Sequence, residues 1–380
     1  MVNFKELLLK MVEHNASDMF VTAKMAVSAK INGELTPIDD VVLTGEQSLA
    51  LVHLAMNEKQ KQQFEKEKEC NFAISLDDVG RFRISAFWQR DMAGMVLRRI
   101  VTEIPDVDEL GLPSILKDLV MSHRGLLLFV GGTGTGKSTS MASLIGYRNR
   151  HSHGHILTIE DPVEFVHEHE KSMITQREVG LDTESFGAAL KSSLRQAPDV
   201  ILIGEIRDEE TMAFALSFAE TGHLCIATLH ANNANQAIDR IMHLVPSSKH
   251  DKLLFDLALN LRGIVAQQLI PTKDGLSRVA AIEILINTPF IEELIKRGDI
   301  SDIKEVMEKS KELGMQSFDQ ALFYLFKQGK ISHADALHYA DSPNDLRLMI
   351  KLRGNEQGSV GALSGISIDG IETKSHDSFM

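Results

Sequence analysis

Leu126-Leu127-Leu128-Phe129-Val130 runs directly into Gly131-Gly132-Thr133-Gly134-Thr135-Gly136-Lys137-Ser138, and a helical stretch, 138–146, follows. A short apolar strand, a glycine-rich turn and a helix start form the context in which G-x-x-x-x-G-K-[ST] binds phosphate. The glycines let backbone N–H groups close on phosphate oxygens, and the helix N-terminus adds positive potential. Lys137 then neutralises the β- and γ-phosphates, and the Ser138 hydroxyl helps hold Mg²⁺. Thr139 continues the same turn. The alternative is a plain glycine-rich turn, which does not require the complete pattern between strand and helix.

Working outward, three more short apolar strands follow: Ile156–Ile159, Val200–Ile203 and Leu224–Ala227. They alternate with helical stretches between residues 115 and 288, which predicts an α/β unit with a mainly parallel sheet covered on both faces. The strand Ile201-Leu202-Ile203 ends in Gly204-Glu205. A carboxylate at that edge suits the Mg²⁺ side of a nucleotide, and an ordinary solvated acid is the alternative. A second acidic cluster, Glu160-Asp161-Pro162-Val163-Glu164, also follows a strand. One of its acids can orient or deprotonate an attacking water. His223 and His230 flank the strand 224–227, where a structural role competes with a functional one. His151, His153, His155, His167 and His169 read as surface histidines. The loop supplies no cation beyond Lys137, so Arg81, Arg83, Arg98 and Arg99, in or beside the N-terminal part, are candidates for a charge supplied from outside the core.

The 380 residues therefore divide into a small α+β domain at 1–100, a Pro/Gly-bearing linker at 101–114, the core at 115–288, a helical region at 289–353 and a flexible acidic tail at 354–380. In the first of these, Phe4, Leu7, Leu8, Met11 and Val12 lie at helical spacing. A strand begins near Met19, Asn32-Gly33 sits at a hairpin turn, residues 45–69 read as helix, and 81–87 alternates as a half-buried strand. Ser317 and Gln320 form a capping box. Lys and Arg number 40 against 53 Asp and Glu, a net charge of −13, which disfavours nucleic acid as a partner. Two cysteines exclude a disulfide scaffold or a cysteine-rich zinc site. The start, Met1–Glu6, carries charge where a signal peptide needs an apolar run, and no 18-residue apolar run occurs, so a cytoplasmic protein without direct membrane insertion is expected.

Leu194–Asp208, which contains Gly204-Glu205-Ile206-Arg207-Asp208, resembles a motif of the secretion ATPases of the type II secretion and type IV pilus (GspE-like) superfamily. Ile159–Glu164 resembles that superfamily's Asp box, and His223 and His230 resemble its His box. The domain order over residues 1–352 is similar to the pilus retraction branch, the PilT/PilU family. Within that branch, Glu69–Ser75, Glu220–Asn233 and Ser342–Leu352 are PilU-like. Phe290-Ile291-Glu292-Glu293-Leu294-Ile295 carries two acids where PilT-type chains have Arg-Asn. The resemblance implies a PAS-like N-terminal domain, a RecA-like P-loop ATPase core and a helical C-terminal region. It implies ATP and Mg²⁺ bound by Gly131–Thr139. Ser138 and Glu205 would lie on the metal, Glu164 would be the catalytic base, and His223 and His230 would couple nucleotide state to domain position. Arg81, Arg83, Arg98 and Arg99 would reach a neighbour's nucleotide. It also implies a homohexamer at the inner membrane, a pilus platform protein and a PilT-like retraction ATPase as partners, and twitching motility as the output.

Two rivals stay open on the sequence. One is a nucleotide-binding accessory ring with little turnover. The other is a type II secretion or pilus assembly ATPase, whose four-cysteine zinc motif two cysteines cannot form.

Overall fold

A computed structural model describes residues 3–31, 33–76, 79–100 and 103–354. The first sheet is antiparallel throughout, in the order β3-β2-β1-β6-β5-β4. Its chain order is α1 (Phe4–Glu13), β1 (Asp18–Thr22), β2 (Ala26–Ile31), β3 (Glu34–Val42), α2 (Gly45–Leu54), α3 (Glu58–Glu67), β4 (Glu69–Leu76), β5 (Gly80–Gln89) and β6 (Met92–Ile100). The apolar stripe of α1 buries Leu7, Leu8 and Met11 with Met19, Phe64, Phe82 and Met95. β2 and β3 pair antiparallel across Gly33, and Asn32 of the expected turn lies outside the described residues.

Residues 45–69 are not one helix. Asn57 accepts from the Gln60 N–H and the Gln60 side chain returns to Asn57, so a capping box starts α3 three residues after α2 ends. The alternating-charge run 65–69 is split as well: Lys68 turns left-handed at φ +67° and Glu69 pairs with Phe87 in the sheet. β4 does alternate, with Cys70 and Phe72 buried between exposed Glu69 and Asn71, but the charged helical run before it masks the pattern; in β6 the consecutive buried residues Ala93, Gly94 and Met95 break the alternation.

The second sheet has the order β13-β12-β7-β11-β10-β8-β9, parallel except for the β12–β13 pair. Its elements are α4 (Ile115–Val120), β7 (Gly125–Val130), α5 (Lys137–His151), β8 (Gly154–Glu160), β9 (Ser172–Glu178), α6 (Phe186–Ser193), β10 (Val200–Ile203), α7 (Glu209–Glu220), β11 (Leu224–Leu229), α8 (Ala234–His243), α9 (His250–Asn260), β12 (Leu261–Pro271) and β13 (Arg278–Ile286). β7, β10 and β11 are buried along their whole length, as central parallel strands must be. Alternate residues of β7 feed two cores: Leu126, Leu128 and Val130 pack on one face, Leu127 and Phe129 on the other. The register places Val130 beside Leu229, and Ile203 beside both Ala227 and Ile159. The C-terminal ends of β7, β8, β10 and β11 therefore open on one edge.

The helices α10 (Pro289–Arg297), α11 (Ile303–Lys309), α12 (Phe318–Lys327), α13 (His333–His338) and α14 (Pro343–Gly354) follow. α12 begins with the expected Ser317–Gln320 capping box, and Phe318, Leu322 and Phe323 pack with Ile270 and Ala281 of β12 and β13. Among the described residues no helix is long and apolar enough to cross a membrane.

Candidate active site

The loop between β7 and α5 closes under two glycines that no other residue replaces. A Cβ on Gly131 would lie 2.6 Å from the Gln267 carbonyl oxygen, and one on Gly136 would lie 2.8 Å from the Gln267 amide nitrogen. Both glycines have positive φ, +154° and +85°. α5 starts from Gly136 with no side-chain cap, whereas α2, α3, α7 and α12 carry capping boxes. Its first N–H groups thus lack a side-chain acceptor and suit a phosphate. The Lys137 ammonium donates to the carbonyl oxygens of Gly131 and Gly132, 2.7 Å each. Burial lowers its pKa, and the negative charges of Glu205 and Glu164 oppose that shift.

Lys137, Ser138, Thr133 and Gly134 line a cavity together with Glu164, Glu205 and His230. Glu205 lies two residues beyond the end of β10. Its Oε2 accepts from Arg207 Nε at 2.7 Å, and its Oε1 lies 3.3 Å from His230 Nε2. Arg207 Nη1 also reaches Asp161 Oδ2 at 3.3 Å. The Thr228 hydroxyl donates to the Gly204 carbonyl, tying the ends of β11 and β10. Glu160 forms the half-buried floor. It accepts from the Thr158 hydroxyl at 2.6 Å and from the Gln176 amide at 3.3 Å, and burial raises its pKa. Ser138 and the carboxylates are hard oxygen donors, which fit Mg²⁺ with water completing its shell. On the far side of Gly136 and Thr139 lies a second, more apolar cavity walled by Leu110, Pro113, Leu269, Val279 and Tyr324.

His230 is inside this site and His223 is not. They bracket the six residues of β11, so His223 sits at the opposite edge of the sheet, about 23 Å away at roughly 3.3 Å per residue over seven steps. There its Nδ1 lies near the Thr221 hydroxyl and the Phe218 carbonyl. The four arginines likewise do not line the cavity of their own chain. Arg83 and Arg98 face each other across β5 and β6, Arg98 binds Asp18 at 2.8 Å, and Arg99 binds Asn15 at 3.2 Å. Arg81 comes nearer. Its Nη2 is 4.0 Å from Glu178 Oε2, an oxygen that also accepts the Val163 N–H beside Glu164. His155 is held between the Gln196 carbonyl and the Thr175 hydroxyl.

Sequence reasoning did not single out Arg207, Glu160 as a partly buried acid or the apolar cavity, and its reading of His167 as a surface histidine is corrected by the structure. Arg207 was findable from its place two residues after Glu205. His167 lines the acidic cavity, where burial and then the Arg150 charge push its imidazole from 6.5 down to about 4. A depressed pKa favours folding above the unfolded value and is lost as pH falls from 6.5 toward 4. His167→Gln should therefore remove roughly 2 kcal/mol of the stability lost between pH 7 and pH 5. Melting curves at both pH values check this, and an unchanged pH dependence would contradict it.

The family model described as "Type II/IV secretion system protein" matches residues 2–315. The type IV pilus ATPase PilU of Pseudomonas aeruginosa is 57% identical over 92% of this chain and 92% of its own. PilT of the same organism, a type IV pilus retraction ATPase, is 39% identical over 90% of this chain and 100% of its own. Among solved structures, the pilus retraction motor PilT with bound ADP superposes with a TM-score of 0.86 at 39% identity, covering 92% of this chain and 100% of that one. The ATPase DotB of Legionella pneumophila superposes with a TM-score of 0.76 at 25% identity, over 92% and 95%. With four-fifths of its length under the family model and pilus ATPases aligned along nearly all of it, the chain belongs to the type II/IV secretion system protein family.

Proposed function

We propose that this protein is an ATP-hydrolysing motor that powers type IV pilus retraction. The observation that carries the reading is the convergence of Lys137, Ser138, Glu164, Glu205 and His230 on one cavity beside an uncapped helix N-terminus. The phosphates of ATP lie on the first turn of α5, and Lys137 leaves the loop carbonyls to meet the β- and γ-phosphates. The base and ribose enter the apolar cavity beyond Thr139. Ser138 and Glu205 would hold Mg²⁺, and the ion would supply neutralisation of charge on the phosphate oxygens; without it, Arg207 neutralises Glu205. Glu164 orients the attacking water and takes its proton. His230 touches Glu205 and so senses the occupied site.

Arg81, Arg83, Arg98 and Arg99 act on a neighbouring subunit's nucleotide, which requires a closed ring, here a homohexamer. Residues 1–100 then swing against residues 115–288 as nucleotide turns over. The ring works in the cytoplasm against an inner-membrane pilus platform protein, beside a PilT-like retraction ATPase. Native mass measurement with nucleotide should give six subunits, and a stable monomer under all conditions would overturn the arginine assignment. Retraction itself is tested in the cells that make this protein, with labelled pili. Lys137→Ala should abolish the share of retraction that the wild type restores to a deletion strain, with or without the PilT-like partner, and full restoration by the variant would refute the motor reading.

A further inference from the structure

Glu283 belongs to no part of the cavity described above. It lies on β13 level with Ala266 of β12 and Val130 of β7, the residue before the phosphate loop. It is 3% exposed. Its two carboxylate oxygens serve different helices. Oε1 accepts the N–H of Ala234 at 2.7 Å, and Oε2 accepts the N–H of Phe318 at 3.2 Å. Ala234 is the first residue of α8 and Phe318 the first of α12, and both are buried. First-turn N–H groups have no partner inside their own helix, so one carboxylate completes two helix starts and meets the positive end of each dipole. Burial pushes the Glu283 carboxyl up to about 7, opposed by the hydrogen bonds from Ala234 and Phe318.

The start of α8 is four residues from His230, which touches Glu205. The same short segment has further ties to the C-terminal helices. Asn233 Nδ2 donates to Asp341 Oδ2 at 3.4 Å, and Asn235 Nδ2 donates to the Ile300 carbonyl at 2.9 Å. Lys304 lies 3.3 Å from Asp341 and 3.7 Å from Asp319. Asp319 in turn accepts the N–H of Asp341 at 2.8 Å, just before α14. From the Glu205 carboxylate the route thus passes by contact to His230, along four residues of chain to the start of α8, and from there by hydrogen bonds through Glu283 to α12, with the Asn233 and Asn235 bonds running beside it.

We propose that Glu283 is a positioning residue that locks the His230 segment to the start of α12, so that nucleotide state at Glu205 is transmitted to the C-terminal helices. The proposal deepens the nucleotide-dependent motor reading and rests on it. Coupling of this kind needs a direct measurement of two sites responding together. Hydrogen–deuterium exchange on the full-length protein supplies it, with and without ADP and Mg²⁺, so that the result does not depend on turnover. In the wild type, ADP should slow exchange at the starts of both α8 and α12. In Glu283→Gln, the amide keeps one acceptor and sets an N–H₂ against the other helix start. ADP should then still protect α5, while its effect on α12 falls about tenfold, within the usual range of coupling strengths. Glu283→Asp keeps the charge but is one methylene too short to bridge both helices, so it should uncouple α12 equally and serves if Glu283→Gln melts early. An α12 response to ADP that is absent in the wild type, or unchanged in the two variants, would overturn the proposal. Loss of protection at α5 itself would instead indict the nucleotide reading on which it rests.

Discussion

Lys137→Ala is expected to reduce ATP turnover by at least about a thousandfold, the largest single loss in the molecule. Among the described residues Lys137 is the one lysine or arginine lining the phosphate cavity, where it sits half-buried with Glu164 and Glu205. Without it, the triphosphate would approach two carboxylates with no positive side chain between them. The loss reaches beyond charge, because Lys137 also holds the carbonyls of Gly131 and Gly132 in the absence of nucleotide. Lys137→Arg separates the two effects. It keeps the charge, but its planar fork does not reproduce a compact ammonium, so turnover should stay well below wild type. Steady-state phosphate release measured on both variants checks the order wild type, Arg, Ala. Turnover by the alanine variant within tenfold of wild type would contradict the assignment.

Glu164→Gln is expected to slow hydrolysis about 10²- to 10⁴-fold while nucleotide binding stays near wild type, the usual range for removal of a general base. The geometry distinguishes it from its neighbour Glu160. Glu164 is exposed at the cavity wall and its charge reaches Lys137. Glu160 is half-buried, and its Oε1 already accepts from both the Thr158 hydroxyl and the Gln176 amide. With that oxygen occupied by two donors, Glu160 is less free than Glu164 to meet a water. Glu160→Gln, nearly isosteric, should therefore cost less than about tenfold. The comparison is read from single-turnover rates together with the affinity for a fluorescent ADP analogue. If Glu160→Gln lost more turnover than Glu164→Gln, the base would be misassigned.

The sequence reading and the structure agree best where a local rule has a single physical solution. The fully apolar run Leu126–Val130 can only be a buried strand next to Gly131, and the glycine spacing at 131 and 136 matches the two positions that reject a Cβ. Capping at Ser317 was equally legible, since the donor and acceptor that start α12 lie three residues apart in the chain. What stayed hidden depends on contacts between distant segments. Glu69–Leu76 is a strand because β5 pairs with it, although a charged helical run leads into it. His223 and His230 look equivalent in the sequence, yet a strand that rises about 3.3 Å per residue carries them to opposite edges of the sheet. Glu283 shows nothing in its own neighbourhood; its two partners lie 49 and 35 residues away.

Phosphate release by the purified full-length protein, with Lys137→Ala and Glu205→Ala compared at the same oligomeric mass, tests whether the residues gathered at the C-terminal edge of the second sheet form a working ATPase site. Turnover by the wild type is expected to be at least about a hundredfold above both variants. Wild-type turnover no faster than the variants would contradict this and leave a protein that binds nucleotide without using it.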